Sequence, residues 1–428
     1  MSDIKKITII HINPDEIIKN RVETHYKNMY SNAIFSICDL SNISIKNCVG
    51  CWSCWVKTPG LCIHKDEMEG CYSSIINSDI CVFSHQIQSG FLSGNSKTCM
   101  DRLIPLFHPY IKIVNGEMMH YKRYDKMPEI HYSYSLKNKE MMSEEEVQSI
   151  EGYYFRCNEH FRVEGKINYM SAEGDIISKD TNSKIEPIIP KSMESLNYKF
   201  YAMNKDSKIA IYNGSPRGKC SNTMLLVEQF KKGLLLSGID ENQIEVFHLA
   251  QINKHRELAE KFYDIDYHMF IMPLYVHSMP GIVKHFMDNI VPYEVSFGEN
   301  APSVGFFVQS GFKEGYQSFY LRGTLSTICN HNKWKFAGCG IKGGMEGLRL
   351  MPPKANKRIY ESFNNLGLYY SKNGYLEEKN LDELIKPINS SKLMKSAFKI
   401  LPSKLIQFYW NSEMKKNGVI ERSFSKPY

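Results

Sequence analysis

The stretch that most constrains this chain is Asn213 to Thr223, N-G-S-P-R-G-K-C-S-N-T, because of what flanks it. Before it, Lys208-Ile209-Ala210-Ile211-Tyr212 is an apolar run of strand length. After it, Met224 to Gly233 spaces Leu and Val as one face of a helix. A strand, a Gly-containing loop and a helix start together offer an anion what it needs: backbone N–H groups without intrahelical partners, the positive end of a helix dipole and room for close approach. Ser215, Ser221, Asn222 and Thr223 add hydroxyl and amide donors, and Arg217 adds a fixed positive charge. Capping a helix needs one such residue, not four and an arginine. Neither G-x-G-x-x-G nor G-x-x-x-x-G-K-[ST] occurs, so the dinucleotide fingerprint and the P-loop are excluded.

The same strand-loop-helix order appears earlier, with Ile7 to Ile12 as the strand and Asp15 to Tyr30 as the helix. Its loop, Asn13-Pro14-Asp15, has no Gly and no cluster of hydroxyls, and it places a carboxylate where a phosphate would sit. After a second strand near Ala33 to Cys38 comes C-V-G-C-W-S-C-W-V-K-T-P-G-L-C, in which Cys48, Cys51, Cys54 and Cys62 have the spacing C-x2-C-x2-C-x7-C. Three thiols three residues apart can converge on one small object, and Pro59-Gly60 turns the chain to return the fourth. Four thiolates suit zinc or an iron–sulfur cluster, and the compact triplet favours the cluster over the two separated pairs usual for structural zinc. Free or redox-active thiols in a structural loop are the other reading. Trp52 and Trp55 read as packing that excludes water.

The loop G-S-P-R…S-N-T resembles the phosphate loop of flavodoxin-like NAD(P)H-dependent FMN reductases. The four-Cys stretch is similar to that of the iron–sulfur flavoproteins, which hold a 4Fe–4S cluster on the same fold. A later stretch, Pro273 to Asn289 (P-L-Y-V-H-S-M-P-G-I-V-K-H-F-M-D-N), resembles the family's P-x-Y…P-x-x-x-K-x-x-x-D loop, with Lys284 and Asp288 four apart on one helix face. Lys97, Asp101 and Arg102 match the corresponding helix of the first half. The resemblance implies FMN phosphate on Ser215, Arg217, Ser221, Asn222 and Thr223. It places the flavin ring against Pro273, Leu274, Tyr275, Val276, His277 and Ser278 and against Ser310, Gly311 and Phe312. Tyr275 and His277 are the expected catalytic residues, shaping an open pocket above the ring in a cluster-free reductase, and NAD(P)H is the co-substrate.

Two units of β-α-β order predict an α/β protein of two flavodoxin-like doubly wound parallel-sheet domains in tandem. The expected division is 1–170 with the four-Cys loop and degenerate phosphate loop, 171–206 as linker, 207–375 as the FMN-binding domain and 376–428 as a helical tail. The first half keeps the cysteines and the second keeps the phosphate loop, which a pseudo-dimer fused in one chain explains economically. Leu106 to Asp125 reads as an inserted hairpin around Asn115-Gly116, and Ser143-x-x-Glu146 as a capping box. The tail, with Phe408, Tyr409 and Trp410 together, reads as packing across domains or subunits rather than as membrane binding.

In a chain of 428 residues, 53 basic against 46 acidic residues give a dispersed net charge of +7 that does not argue for nucleic acid. The polar start and the lack of a long apolar run point to a cytoplasmic protein without signal peptide or transmembrane segment. The expected function is flavin-mediated redox chemistry, FMN exchanging electrons with NAD(P)H or a low-potential carrier and with the cluster. Its partners are small-molecule or protein electron donors and acceptors, with a homodimer as the assembly. The alternatives are a cluster-free reductase of quinones or nitro compounds, a non-enzymatic FMN electron carrier, and a zinc-stapled regulatory protein.

Overall fold

The computed structural model describes residues 4–43, 45–136, 142–171, 176–181, 183–190, 199–291, 300–377, 381 and 401–428. Its first half opens with β1 (Lys6–His11), α1 (Glu16–Met29) and β2 (Ile34–Asp39), followed by the cysteine loop with the short α2 (Ser53–Val56) and then α3 (Met68–Ile76). β3 (Ile80–Gln88) turns through β4 (Phe91–Leu92) into α4 (Gly94–Asp101), and the hairpin β5 (Phe107–Val114) and β6 (Glu117–Lys122) follows. β7 (Glu129–Leu136), α5 (Glu144–Phe161), β8 (Lys166–Met170) and β9 (Ile176–Asp180) complete this half.

The second half runs β10 (Ile209–Asn213), α6 (Asn222–Leu236), β11 (Ile244–His248), α7 (His255–Glu260), β12 (Tyr267–Pro273) and α8 (Gly281–Asn289). It ends with β13 (Ser303–Gln309), α9 (Phe319–His331), β14 (Lys335–Lys342) and α10 (Lys357–Asn373), and the tail carries α11 (Leu401–Lys416).

The two main sheets share one topology. The first has the order β2-β1-β3-β7-β8-β9 and the second β11-β10-β12-β13-β14. Counting parallel strands from each start, both read 2-1-3-4-5, the doubly wound order in which ligands bind at the carboxyl ends where the strand order reverses. The apolar runs of β1, β3, β10, β12 and β13 are buried on both faces, as central parallel strands must be.

Residues 176–180, expected in the linker, instead form β9, an antiparallel strand beside β8. The polar, aperiodic sequence hid it because four of its five residues are a half-solvated edge. The inserted hairpin forms where Asn115-Gly116 predicts it, with φ of 52° and 85° at those two residues. Ser143 and Glu146 make both bonds of the capping box.

The halves meet through α4 against α8 and α5 against α9. One hydrophobic cluster runs through both, joining Cys99, Met100 and Leu103 of the α4 region to Met279, Ile282, Val283 and Phe286 of the α8 region. The contact has a pseudo-twofold axis that is visible residue by residue. Lys97 pairs with Asp101, whose carboxylate accepts from the Gly281 N–H at 2.7 Å; Lys284 pairs with Asp288, whose carboxylate accepts from the Gly94 N–H at 2.7 Å. Lys97 Nζ also donates to the Tyr275 carbonyl at 3.0 Å, and Lys284 Nζ to the Gln88 carbonyl at 2.8 Å. Gln88 and Tyr275, Gly94 and Gly281, Lys97 and Lys284, and Asp101 and Asp288 all stand the same number of residues apart, so each half presents the same self-complementary patch to the other, as an isologous dimer would.

The tail packs on the first half. Trp410 stands edge-on to Trp52 and Trp55 at 5.0 and 5.3 Å, and Arg123 donates to the Ser423 and Ser425 carbonyls at 2.9 and 3.0 Å. Of the helical tail expected over 376–428, the described residues are 376, 377, 381 and 401–428. Among the described residues no helix is long and apolar enough to cross a membrane.

Candidate functional site

The phosphate-loop stretch is shaped by Asn213, the last residue of β10. Its side-chain amide donates to the Gly218 carbonyl at 2.9 Å and its oxygen accepts from the Ser215 N–H at 3.1 Å. Gly218, at φ 54°, takes the left-handed turn this closure requires. The polar side chains then divide between two tasks. Ser221 is the N-cap of α6, accepting from the Met224 N–H at 3.1 Å and donating to the Gly218 carbonyl at 2.7 Å. Asn222 holds the 345–349 segment, donating to the Met345 and Glu346 carbonyls at 2.9 and 3.0 Å and accepting from the Arg349 N–H at 3.2 Å.

What remains is an uncommitted donor set. Thr223 Oγ1 is buried without a hydrogen-bond partner among the described residues. Among the described residues the Arg217 guanidinium makes no hydrogen bond or ion pair, and the Asn222 and Thr223 N–H groups that open α6 have no intrahelical acceptor.

The other predicted segments sit at the carboxyl ends of β12 and β13. Leu274 N–H donates to the Gln309 carbonyl at 2.7 Å. Tyr275 and Ser278 exchange both backbone bonds, at 2.8 and 2.9 Å, around Val276 and His277. Those two residues have φ of 40° and 58°. A β-branched residue and a histidine held left-handed in succession are strained, and strain of this kind gathers where a ligand is clamped. Ser310 is anchored between Lys342 and Met345, and a side chain at Gly311 would press on Glu346 Oε2 at 2.9 Å.

The cysteine loop lies opposite. Cys48, Cys51, Cys54 and Cys62 line one cavity together with Gly50, Trp52, Asp101 and Arg102. Arg102 clamps the loop's far end, making a bidentate pair with Asp66 at 2.8 Å on both bonds and donating to the Lys46 carbonyl at 2.7 Å. Thr98 of α4 donates to Asn47 Oδ1 at 2.6 Å, beside Cys48. Burial pushes the Cys48 thiol up to about 12 and the Cys54 thiol well above its ordinary value, and the neighbouring cysteines push in the same direction. Among the described residues no three His, Cys, Asp or Glu side chains stand at the spacing of a single metal ion.

The two halves of the site touch. Gly50, at φ 62°, has no room for a side chain: a Cβ there would collide with Tyr275 Oη and lie 3.2 Å from Arg217 Cγ. The Arg217 guanidinium stacks over the Trp52 ring at 4.7 Å to its centroid. Lys97, from the first half, holds the Tyr275 carbonyl.

His277 meets His160 of α5 at 5.0 Å between ring centroids, and His160 is followed by His120 of β6 at 5.8 Å. Burial holds His277 and His160 well below their ordinary value and His120 down to about 4, so all three are neutral imidazoles at neutral pH. Burial, followed by the nearby Cys48, pushes the Tyr275 phenol far up, so it stays protonated. Glu346 is exposed, and the nearby Arg217 favours its charged form.

All the predicted segments thus converge on one interdomain face. Glu346, His120 and His160, the last two packed on Phe312, were not legible as a group, because they come from three separate segments with no motif among them.

Residues 207–324 match the profile of the family described as having the flavodoxin-like fold. The second half is a flavodoxin-like domain. An iron–sulfur flavoprotein of Methanocaldococcus jannaschii is 33% identical over 79 residues, which are 18% of this chain and 39% of that protein. The chain therefore spans well under half the length of the curated relative it matches. Among solved structures, an NAD(P)H:quinone oxidoreductase from Methanothermobacter marburgensis is 18% identical, covering 39% of this chain and 94% of its own, with a TM-score of 0.30. The FMN complex of general stress protein 14 from Treponema denticola is 11% identical, covering 39% of this chain and 97% of its own, with a TM-score of 0.29. The sheet of the first half repeats the strand order of the sheet that lies in the matched residues.

Proposed function

We propose that this protein is an FMN-dependent oxidoreductase whose flavodoxin-like second domain holds the flavin and whose cysteine loop holds a 4Fe–4S cluster. The observation that carries this is the contact between the two sites: the cysteine loop reaches Tyr275 at Gly50 and Arg217 at Trp52.

The residues fit both groups. A phosphate monoester finds an unpaired guanidinium, the orphaned Thr223 hydroxyl, Ser215 and the first-turn N–H groups of α6. Ser221 and Asn222 serve this site by fixing its backbone and the 345–349 segment. The four thiols share one cavity, and the compact spacing of Cys48, Cys51 and Cys54 suits a cluster that takes one thiolate per iron. Burial that keeps empty thiols protonated also means that a cationic metal core would be what deprotonates them. FMN supplies interconversion of two-electron and one-electron chemistry, and a cluster supplies single electrons.

The chain's own residues set the conditions. The strained Tyr275–Ser278 turn fixes the edge against which the ring of a flavin would lie. Neutral Tyr275 and His277 offer hydrogen bonds there without adding charge. Trp52, Trp55 and Trp410 cover Cys54 on one side of the cysteine loop, while Cys51 is exposed. The electron donor is NAD(P)H or a low-potential carrier, and the acceptor a small molecule or a protein.

The test is an ultraviolet–visible spectrum of anaerobically purified protein, with FMN, iron, acid-labile sulfide and zinc quantified on the same sample. One FMN with about four irons and four sulfides per chain supports the proposal. FMN without iron or sulfide would leave a cluster-free reductase, and zinc without flavin would overturn the reading altogether. Arg217→Ala should weaken FMN binding and leave the metal content unchanged.

A further inference from the structure

We infer that Trp52, in the cysteine loop of the first half, is a positioning residue for Arg217 of the second half, and that it thereby sets the preference for FMN over its dephosphorylated form, riboflavin. The inference rests on the FMN reading above and adds to it a residue from the other half.

Three independent features place this ring. Trp52 has φ 56°, a left-handed conformation that costs a bulky residue energy and persists only where the surroundings enforce it. Its carbonyl accepts from the Trp55 and Val56 N–H groups at 2.8 and 3.0 Å, which locks the turn. Its ring is braced edge-on by Trp410 at 5.0 Å.

The face so presented receives the Arg217 guanidinium at 4.7 Å. Gly50, two residues earlier and also left-handed, brings the loop backbone against the aliphatic part of the same arginine, with 3.2 Å from its would-be Cβ to Arg217 Cγ. The arginine therefore lies flat against the cysteine loop from its stem to its head.

This arrangement leaves the guanidinium's N–H donors free at its edge, as a phosphate requires. An arginine is long and loses much rotamer freedom when fixed, so a stack that fixes it beforehand raises phosphate affinity. Without the ring, Arg217 is free to turn toward Glu346, the carboxyl group whose charged form it already stabilises. Because Trp52 lies between Cys51 and Cys54, FMN affinity and the order of the cysteine loop are linked, and the linkage acts equally in both directions.

The test uses the full chain, freed of flavin, with FMN and riboflavin titrated by calorimetry, since tryptophan fluorescence changes with the substitution itself. Trp52→Ala should weaken FMN binding by about 2- to 5-fold, the size of a cation–π contact at an exposed arginine. Riboflavin, which lacks the phosphate, should bind as before. Trp52→Phe should restore most of the loss. Equal losses for FMN and riboflavin would make Trp52 a merely structural residue, and no loss for either would also overturn the inference. In an Arg217→Ala background, Trp52→Ala should have no further effect on FMN. That cycle stays informative even if the single change disturbs the loop, because a loss that persists there cannot act through the arginine. Wild-type protein that bound neither flavin would instead refute the FMN reading on which the inference rests.

Discussion

The reciprocal lysine–aspartate contacts make a quantitative prediction. Lys97 and Asp101 have side-chain exposures of 0% and 4%, and Lys284 and Asp288 of 0% and 12%. Asp101→Ala removes the counter-charge of a buried ammonium and also orphans the Gly281 N–H that its carboxylate accepts. Breaking a buried pair costs about 3–5 kcal/mol, and an orphaned buried donor about 1–3 kcal/mol, with overlap because both losses occur in one site. A net loss of about 4 kcal/mol is expected. Asp288→Ala does the same to Lys284 and the Gly94 N–H, so its loss should match.

The functional consequences should differ. Lys97 holds the Tyr275 carbonyl, whereas Lys284 holds Gln88, so only Asp101→Ala should also weaken flavin binding. Urea unfolding followed by intrinsic fluorescence, with calorimetric FMN titration, reads both effects. Losses below about 1 kcal/mol, the value for an exposed pair such as Lys65–Glu69, would refute the idea that these contacts hold the halves together.

Stability should also fall in acid. Burial lowers His85 and His268 to about 3 and His120 and His131 to about 4, from 6.5 when unfolded. A group whose folded value is depressed contributes stability that is complete above the unfolded value and lost as pH falls through the folded one. The urea midpoint should therefore hold near pH 7 and decline progressively from about pH 6.5 toward pH 3; a midpoint unchanged between pH 7 and pH 4 would contradict this. Trp410→Ala removes a buried ring that joins the tail to Trp52 and Trp55, at a cost of about 3–5 kcal/mol. That should release α11 from the cysteine loop before either sheet unfolds. Limited proteolysis should then cut the tail first, and an unchanged cleavage pattern would show that the remaining contacts suffice.

The sequence carried the architecture where local chemistry decides it. Strand-loop-helix order and apolar runs gave both sheets, Asn115-Gly116 gave the hairpin, and Ser143 with Glu146 gave the start of α5. It failed where a residue's partner is far along the chain. Asn222 looked like a phosphate ligand but spends its amide on residues 345, 346 and 349. After β3, Ser89 and Gly90, with φ of 47° and 74°, make a tight hairpin with β4. Lys284 and Asp288 announced a helix face, but not that its partner is the first half of the same chain. His120 and His160 carry no local signal at all; only the fold brings them to His277.

The division of labour between the halves has a local cause in the first loop that can be tested. Asp15 is the N-cap of α1, its carboxylate accepting from the Ile17 and Ile18 N–H groups at 2.8 and 3.3 Å. It thus occupies with a negative charge the helix start that, in the second half, lies open toward Arg217 and Thr223. Asn13 is likewise committed, donating to Ser135 Oγ at 2.6 Å where Asn213 instead closes a loop onto Gly218. If the missing donors are what keep flavin out, removing the charge should not let it in. Asp15→Ser keeps a capping oxygen and should change stability little, while Asp15→Ala should cost about 1 kcal/mol. Both variants should still bind one FMN per chain. A second FMN in either variant would show that the carboxylate alone, and not the absence of hydroxyls and an arginine, separates the two loops. The pseudo-twofold contact would then join two potential flavin sites, one of them closed by a single side chain.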